Sequence, residues 1–169
     1  HIYCGDGKGK TSAAVGMAVR AAGCGMKVLV IRFLKTENSG EVEVLRSIPG
    51  ITVTPCDRTF GFVFRMTEEQ KQEAALYYQS RFEAAAKEAV QGQYDLLILD
   101  EILASCNYGM VRETSVVEFL QNRPEKLEVV LTGRNPSETF LELADYVSEI
   151  CMRRHPYEKG IPARRGIEF

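Results

Sequence analysis

The sequence lacks the features that would place it in a membrane or draw it to a polyanion. No apolar run approaches the length of about 18 residues that a membrane-spanning helix needs, and no signal peptide is visible. The 21 Lys and Arg residues nearly balance the 23 Asp and Glu residues, so a net charge of −2 predicts no general attraction to nucleic acid or to a membrane. The chain begins at His1 without Met, and we expect its natural N-terminus to be missing.

Paired cysteines are also lacking. The five cysteines are an odd number and form no Cys-x-x-Cys pair, so the sequence favours neither a disulfide framework nor a structural zinc site. We expect small buried thiols in a cytoplasmic protein. The sequence contains no Ser/His/Asp or Cys/His set that indicates nucleophilic catalysis.

Apolar runs and amphipathic stretches alternate along the chain, which is typical of an α/β fold. The 169 residues, 45% of them hydrophobic, contain no linker or repeat, so we predict a single domain over residues 1–169. The predicted strands are residues 1–4, 27–34, 51–54, 94–99, 127–132 and 146–150, and the predicted helices are residues 12–22, 41–47, 67–90, 114–122 and 137–144. The apolar strands indicate a mainly parallel sheet with helices on both faces and ligands at the carboxyl ends of its strands.

The strongest motif is Gly5-Asp6-Gly7-Lys8-Gly9-Lys10-Thr11-Ser12, between the first strand and the first helix. A glycine-rich turn in this position directs backbone N–H groups inward, and the following helix aims its positive end at the same point. The motif therefore predicts a phosphate-binding P-loop, in which Lys10 adds charge and the Thr11 hydroxyl can ligate Mg²⁺.

Two features of this motif are unusual. The common Gly-x4-Gly-Lys spacing fails because Cys4 stands where the first glycine would be, so the loop is one residue short. Phosphate repels the carboxylate of Asp6, which we expect to point outward, towards a ribose hydroxyl or a partner subunit.

A second apolar strand ends in Asp100 and Glu101, like a Walker B strand. One carboxylate in this position can hold Mg²⁺, and the other, pointing elsewhere on an extended chain, can serve a neighbouring group or the substrate. A solvated strand end is the simpler alternative. Arg134 follows another strand and is a candidate phosphate or base contact, whereas Arg20, on the first helix, is equally compatible with a solvated side chain.

Phe60, Phe62 and Phe64 recur at every second position between Arg58 and Arg65. The pattern alone favours a strand that buries the three rings on one face. The alternative is a flexible segment that closes an apolar wall over a large flat ligand.

Together these segments resemble the ATP:corrinoid adenosyltransferases of the CobA/BtuR type. Residues 5–11 resemble the family's GNGKGKT loop, with Asp6 in place of Asn, and residues 61–64 resemble its Gly-Phe-Thr-Trp segment, with Phe64 in place of Trp. Further similar segments follow in order over essentially the whole chain, at residues 18–23, 99–101, 122–124, 131–134, 143–145, 147–149, 155–160 and 166–169.

The resemblance implies a RecA-like three-layer α/β sandwich, usually a homodimer. It implies transfer of the 5′-deoxyadenosyl group of ATP to the Co(I) of a reduced corrinoid, with release of tripolyphosphate, in adenosylcobalamin synthesis or salvage. The corrinoid would be cobalamin, cobinamide or cobyrinic acid diamide. The resemblance further implies Mg²⁺, a reducing flavoprotein as partner, and an ATP orientation reversed from that of ordinary P-loop enzymes.

Residue roles follow from the same resemblance. Lys10 and Mg²⁺ would stabilise the leaving triphosphate, while Phe62 and Phe64 would line the corrinoid site and displace the lower axial ligand of cobalt, which eases reduction to Co(I). Phe64 is smaller than the Trp of the family segment, so the aromatic wall of the corrinoid site would be smaller, and this can alter which corrinoid is preferred. The catalytic residues would be Lys10, Phe62 and Phe64; the ATP-binding residues Gly5, Asp6, Gly7, Lys8, Gly9, Lys10, Thr11, Ser12, Arg20 and Arg134; and the metal ligands Thr11, Asp100 and Glu101.

Two other functions compete with this one. A RecA-like P-loop ATPase acting on nucleic acid or as a motor would want a basic surface, and the acidic net charge weakens that interpretation. A non-enzymatic nucleotide-binding module is disfavoured by the full set of polar residues at the predicted strand ends.

Overall fold

The computed structural model describes residues 1–167, and within that range it contains six strands and six α-helices. The strands are β1 (Ile2–Cys4), β2 (Val28–Arg32), β3 (Ile51–Val53), β4 (Leu96–Asp100), β5 (Glu128–Thr132) and β6 (Val147–Glu149). The helices are α1 (Lys10–Gly23), α2 (Glu41–Ser47), α3 (Glu68–Gln91), α4 (Ile102–Asn107), α5 (Glu113–Asn122) and α6 (Glu138–Leu143). Glu168 and Phe169, which end the predicted domain and its family-like final segment, lie outside the described residues.

The strands form one parallel sheet in the order β3-β2-β4-β5-β1-β6. This α/β architecture, with helices flanking the sheet, confirms the predicted fold class and is consistent with a RecA-like three-layer sandwich. Because β1 lies beside β5 and one strand away from β4, the segments that follow these three strands emerge at the same edge of the sheet.

Alternate side chains of the central strands pack on opposite faces of the sheet. Leu29 and Leu97 belong to the cluster that includes Phe82 of α3, whereas Val30 and Ile98 belong to the cluster that includes Ala18 of α1. Both faces are covered, so successive residues are buried with no polar alternation. This double burial explains why the strands read as continuous apolar runs in the sequence.

The longest helix, α3, starts at a capping box. Thr67 accepts a hydrogen bond from the N–H of Gln70, and the Gln70 side chain accepts one from the N–H of Thr67. One face of α3 packs in the core through its buried side chains, which are Ala74, Tyr78, Phe82, Ala85 and Ala89. None of the helices in residues 1–167 combines the length and apolar character required to cross a lipid bilayer.

The expectation that Phe60, Phe62 and Phe64 line one face of a strand is wrong. Gly61 has a φ of 77° and turns the chain, and residues 63–65 form a 3₁₀ turn that has no strand partner within residues 1–167. Phe60 is half-buried against Tyr77 and Tyr78, with ring centroids 5.5 and 5.8 Å away. Phe62 and Phe64 are instead 66% and 77% exposed.

Helix α4 was not anticipated from the sequence. Its six residues follow directly after Asp100 and Glu101, and Gly133 at the end of β5 lies against it. Gly133 has a φ of 146°, and a Cβ at this position would lie 2.7 Å from Leu103 Cβ and 3.0 Å from the backbone nitrogen of Ala104. Close packing of α4 against β5 therefore depends on glycine at this position.

This contact predicts the effect of Gly133→Ala. The added methyl group must push α4 away from the end of β5, so we expect the free energy of unfolding to fall by roughly 1–3 kcal/mol. Urea denaturation followed by circular dichroism measures the change. Gly16→Ala, at a position with no atom within 4 Å of the added Cβ, is the matched control and should be neutral or slightly stabilising. Equal urea midpoints for wild type and Gly133→Ala would contradict this account of the contact.

Candidate active site

The end of β5 and the first turn of α1 meet around the carboxylate of Asp100, the last residue of β4. Thr11, in the first turn of α1, donates a hydrogen bond from its hydroxyl to Asp100 Oδ1 at 3.1 Å. Thr132, the last residue of β5, donates to the same oxygen at 2.6 Å. The predicted convergence of these segments at one edge of the sheet is confirmed.

The loop between β1 and α1, residues 5–11, is called the glycine loop below. It rests on the backbone that follows β6: the N–H of Gly7 donates to Ile150 O at 2.7 Å, and the N–H of Ile150 donates to Cys4 O at 2.9 Å. A Cβ on Gly7 would lie 2.6 Å from Ile150 O, and one on Gly5 would clash with the same atom. The first two glycines are therefore required by a neighbouring segment of the protein as well as by any phosphate.

Lys10 is the first residue of α1 and is buried inside the glycine loop. Its ammonium group donates to Gly5 O at 2.9 Å and to Gly7 O at 2.8 Å. Burial lowers the pKa of Lys10, because the charged form loses hydration. The charge of Lys10 and the N-terminal end of α1 together make this point of the fold attractive to an anion.

The carboxylate of Asp6 points away from the centre of the loop, and its Oδ1 accepts a hydrogen bond from the N–H of Met152 at 2.8 Å. That hydrogen bond lowers the pKa of Asp6. Asp6 is exposed, as expected, and it ties the glycine loop to the segment after β6. Its predicted contact with a ribose hydroxyl or a partner subunit stays a prediction.

Lys35, three residues beyond the end of β2, belongs to this site and was missed by the sequence reasoning. Its ammonium group forms an ion pair with Asp100 Oδ2 and donates to Thr11 Oγ1 at 2.8 Å. The sequence contains a sign of this role, because Lys35 follows an apolar strand just as Asp100 follows another. The sequence does not reveal that these two strands, β2 and β4, are neighbours in the sheet.

Glu101 differs from Asp100 in backbone and environment. It has a φ of 63°, in the left-handed region, and its N–H donates to Thr132 Oγ1 at 2.9 Å. Burial first, and then the charge of Asp100, raise the pKa of Glu101. The two adjacent carboxylates differ in hydrogen bonding and burial, but not for the predicted reason, because Glu101 leaves the extended conformation.

The glycine loop opens onto a cavity of about 790 Å³, which is within the usual range for small-molecule sites. Its lining includes Lys8, Lys10, Thr11, Ser12, Lys35, Glu101 and, from the C-terminal segment, Ile167. Three lysines and a helix N-terminus at one cavity form a cradle suited to a polyanion.

The two candidate arginines are placed differently. Arg134 is exposed after β5 and donates to Asp6 O at 3.4 Å, while Asn107 Nδ2 donates to Arg134 O at 2.9 Å and fixes the turn. Arg20 lies in the last turn of α1, about 15 Å along the helix axis from Lys10. The structure brings Arg134 to the glycine loop and does not bring Arg20 there.

The residues around Asp100 fit a magnesium ion. The side chains of Thr11, Asp100 and Glu101 offer hydroxyl and carboxylate oxygens, which Mg²⁺ prefers, and two of these groups already surround a cation, the Lys35 ammonium. No group of three or more His, Cys, Asp or Glu side chains suitable for a metal occurs in residues 1–167. A magnesium ion here would complete its shell with water and phosphate oxygens, as is usual for this metal.

The sequence model of the family described as ATP:corrinoid adenosyltransferase BtuR/CobO/CobP matches residues 1–169. The chain belongs to this family. A corrinoid adenosyltransferase of Pseudomonas aeruginosa is 33% identical over 169 residues, which cover 99% of this chain and 82% of that protein. The protein of the same name from Escherichia coli K12 is also 33% identical, over 99% of this chain and 84% of its own length. The predicted family and enzyme class are thereby confirmed.

The exposed rings of Phe62 and Phe64 do not line the cavity beside the glycine loop. The rings of Phe62 and Phe64 stack with centroids 5.4 Å apart and an interplanar angle of 25°, and the Arg65 guanidinium lies 5.7 and 5.5 Å from the two centroids. An exposed, stacked aromatic pair offers a flat apolar surface. Its role in binding a corrinoid stays a prediction.

The hydrogen bond between Asp6 and Met152 yields a testable prediction about the Asp-for-Asn departure from the family loop. Both residue types offer a side-chain oxygen, so Asp6→Asn should leave hydrogen exchange of the Met152 amide nearly unchanged at pH 7. Asp6→Ala removes the acceptor, and exchange of the Met152 amide should become roughly five- to tenfold faster because its hydrogen bond is lost.

The folded-state pKa of Asp6 lies below its ordinary value. The exchange of the Met152 amide should therefore be slower in wild type than in Asp6→Ala at neutral pH, and this difference should disappear as pH falls through the lowered pKa. Asp57→Ala, which removes an exposed carboxylate hydrogen-bonded to Tyr77, is the control. Unchanged exchange at Met152 in Asp6→Ala would show that this contact does not hold the segment.

Proposed function

We propose that this protein transfers the 5′-deoxyadenosyl group of ATP to the Co(I) centre of a corrinoid and releases tripolyphosphate, in adenosylcobalamin synthesis or salvage. The observation that carries the proposal is a polyanion cradle of three lysines and the N-terminus of α1, beside the oxygens around Asp100 that fit a magnesium ion, in a chain that belongs to this family. The natural substrates would be cobalamin, cobinamide or cobyrinic acid diamide.

In this reaction the protein does not need to supply a nucleophile. The electron pair of Co(I) attacks C5′ of ATP, the bond between C5′ and the α-phosphate oxygen breaks, and that bonding pair leaves with the triphosphate. Negative charge therefore grows on the triphosphate in the transition state. The protein has to place the two substrates in line, keep water out and stabilise this charge.

The residues around the cavity are suited to stabilising the leaving group. The Lys10 ammonium and backbone N–H groups of the glycine loop other than that of Gly7, which donates to Ile150 O, would bind the triphosphate, together with Lys8, Ser12 and Arg134. Thr11, Asp100 and Glu101 would hold Mg²⁺, which supplies charge neutralisation at the phosphate oxygens when bound. If ATP binds in the orientation opposite to that in ordinary P-loop enzymes, its C5′ atom would face the corrinoid.

The remaining candidate residues would have indirect roles. The glycine loop would be shaped by Gly5, Asp6, Gly7 and Gly9. Arg20 would contact the nucleotide only if a conformational change or a second subunit brought it there.

Phe62 and Phe64 would form the wall against which the corrinoid rests. Both rings are largely exposed, and burial of one phenylalanine side chain against a ligand is worth about 1.5–3 kcal/mol. Contact with this wall would displace the lower axial ligand of cobalt, so that four-coordinate Co(II) accepts an electron more easily. The reductant would be a flavoprotein.

We further propose that the protein acts as a homodimer in the cytoplasm, without a nucleic acid or membrane partner. All five cysteines are free, in keeping with a reducing compartment. The near-neutral net charge favours small-molecule substrates over polyanionic polymers.

A direct assay tests the proposed reaction. Protein, ATP, Mg²⁺ and a chemically reduced corrinoid are mixed without oxygen, and the absorbance change of Co–C bond formation is followed. We expect adenosylated corrinoid to form, and expect Lys10→Ala to slow its formation by roughly 100-fold because a charge-assisted contact to the leaving group is lost. Hydrolysis of ATP to phosphate without adenosylated product would favour a P-loop ATPase and defeat the proposal.

The role of the aromatic wall is tested by Phe62→Ala. With the flavoprotein-coupled Co(II) substrate, we expect the rate to fall roughly 10- to 100-fold, whereas the dissociation constant for ATP should change less than twofold. Leu76→Ala, which truncates an apolar side chain that is 75% exposed on α3, is the control. Equal losses of rate and of ATP affinity in Phe62→Ala would assign the ring to structure and not to the corrinoid.

A further inference from the structure

The position of Lys35 carries an inference beyond the overall reaction. Its ammonium group contacts both Thr11 Oγ1 and Asp100 Oδ2. These are oxygens of two of the three side chains that would hold Mg²⁺. The ammonium therefore occupies the position between the oxygens where a metal ion would be ligated.

Asp100 needs a positive partner at this position. Its side chain is only 3% exposed, and a buried carboxylate without a counter-charge is strongly disfavoured. Its other described hydrogen-bond donors, Thr11 and Thr132, are neutral hydroxyls, while the nearby Lys10 ammonium is directed to the carbonyls of Gly5 and Gly7. Lys35 is thus the counter-ion of Asp100 in this structure.

The backbone around Lys35 is anchored independently of its ammonium group. The N–H of Phe33 donates to Asp100 O at 2.9 Å. The buried Arg32 donates to Thr36 O at 2.8 Å and pairs with Glu37 at 3.2 Å. The Lys35 side chain has four flexible methylene groups and lines the same cavity as Lys8 and Lys10. Its head group can therefore leave Asp100 and turn into the cavity without any change in the loop.

We propose that Lys35 is an exchangeable cation: it neutralises Asp100 when no metal is bound, and it moves onto the triphosphate when Mg²⁺ binds Thr11 and Asp100. A metal ion at these oxygens would repel the Lys35 ammonium, because like charges at contact distance repel. In the cavity, the released ammonium adds one more positive charge around the leaving group. This inference rests on the proposed function for its ligands and concerns a residue to which that function gave no role.

The exchange predicts that two affinities respond differently to the loss of the Lys35 charge. Lys35→Met keeps the apolar stem and removes the charge, so that Mn²⁺, used as a probe for Mg²⁺, no longer has to displace a bound cation. We expect Mn²⁺ alone, titrated without nucleotide and measured by electron paramagnetic resonance, to bind roughly tenfold or more tightly to Lys35→Met than to wild type. Binding of MgATP, measured by calorimetry, should show no such gain, because the easier binding of the metal is offset by the loss of the ammonium contact with the triphosphate.

Two further variants keep the test decisive. Lys71→Met removes an exposed lysine that pairs with Glu68 and should leave both affinities unchanged. Lys35→Arg keeps the positive charge beside Asp100, so it should fold even if Lys35→Met is unfolded. It should bind Mn²⁺ no more tightly than wild type. Mn²⁺ affinity that is unchanged or weaker in folded Lys35→Met, or tighter in Lys35→Arg, would overturn the exchange.

These measurements contain no corrinoid, so they separate the inference from the proposed reaction. An Mn²⁺ shift in a protein that forms no adenosylated product would support the exchange and defeat only the reaction. Adenosylated product from a protein in which Lys35→Met leaves Mn²⁺ affinity unchanged would support the reaction and defeat only the exchange.

Discussion

The buried carboxylate of Asp100 is the constraint on which the arrangement of this site depends. A negative charge at the end of a central strand has to be met by donors from other segments. Those donors come from α1, from β5 and from the loop after β2, through Thr11, Thr132 and Lys35. Each of these segments follows or ends a parallel strand beside or near β4. The contacts of one carboxylate therefore also bring the glycine loop, with Lys8 and Lys10, to the same cavity as Lys35.

The short glycine loop is shaped by the protein as much as by a phosphate. Gly5 and Gly7 lie against the backbone at Ile150, Lys10 binds the loop's own carbonyl groups, and Asp6 holds Met152. The segment after β6 therefore acts as the floor of the loop. A loop supported in this way keeps a fixed conformation, and pre-organised donors stabilise developing charge without reorganisation. Such a loop would suit the proposed role of holding a triphosphate while it becomes a leaving group.

Much of this could be predicted from the sequence because strand ends in parallel sheets share an edge. That rule alone placed Thr11, Asp100 and Arg134 together. Lys35 was missed because its contact depends on the order of strands, which local patterns do not reveal. The floor at Ile150 was missed because it is contributed by residues distant along the chain. The pattern of phenylalanines at every second position wrongly favoured a buried strand. The same spacing occurs here in a segment that Gly61 turns, and Phe62 and Phe64 are exposed.

The central claim is that this edge of the sheet holds the triphosphate of ATP as a leaving group and not as a donor of phosphate. The most direct measurement is phosphorus nuclear magnetic resonance of the products after one turnover with ATP, Mg²⁺ and a reduced corrinoid. The account predicts intact tripolyphosphate in an amount equal to the adenosylated corrinoid. Formation of ADP with orthophosphate, or of AMP with pyrophosphate, as the primary products would contradict it.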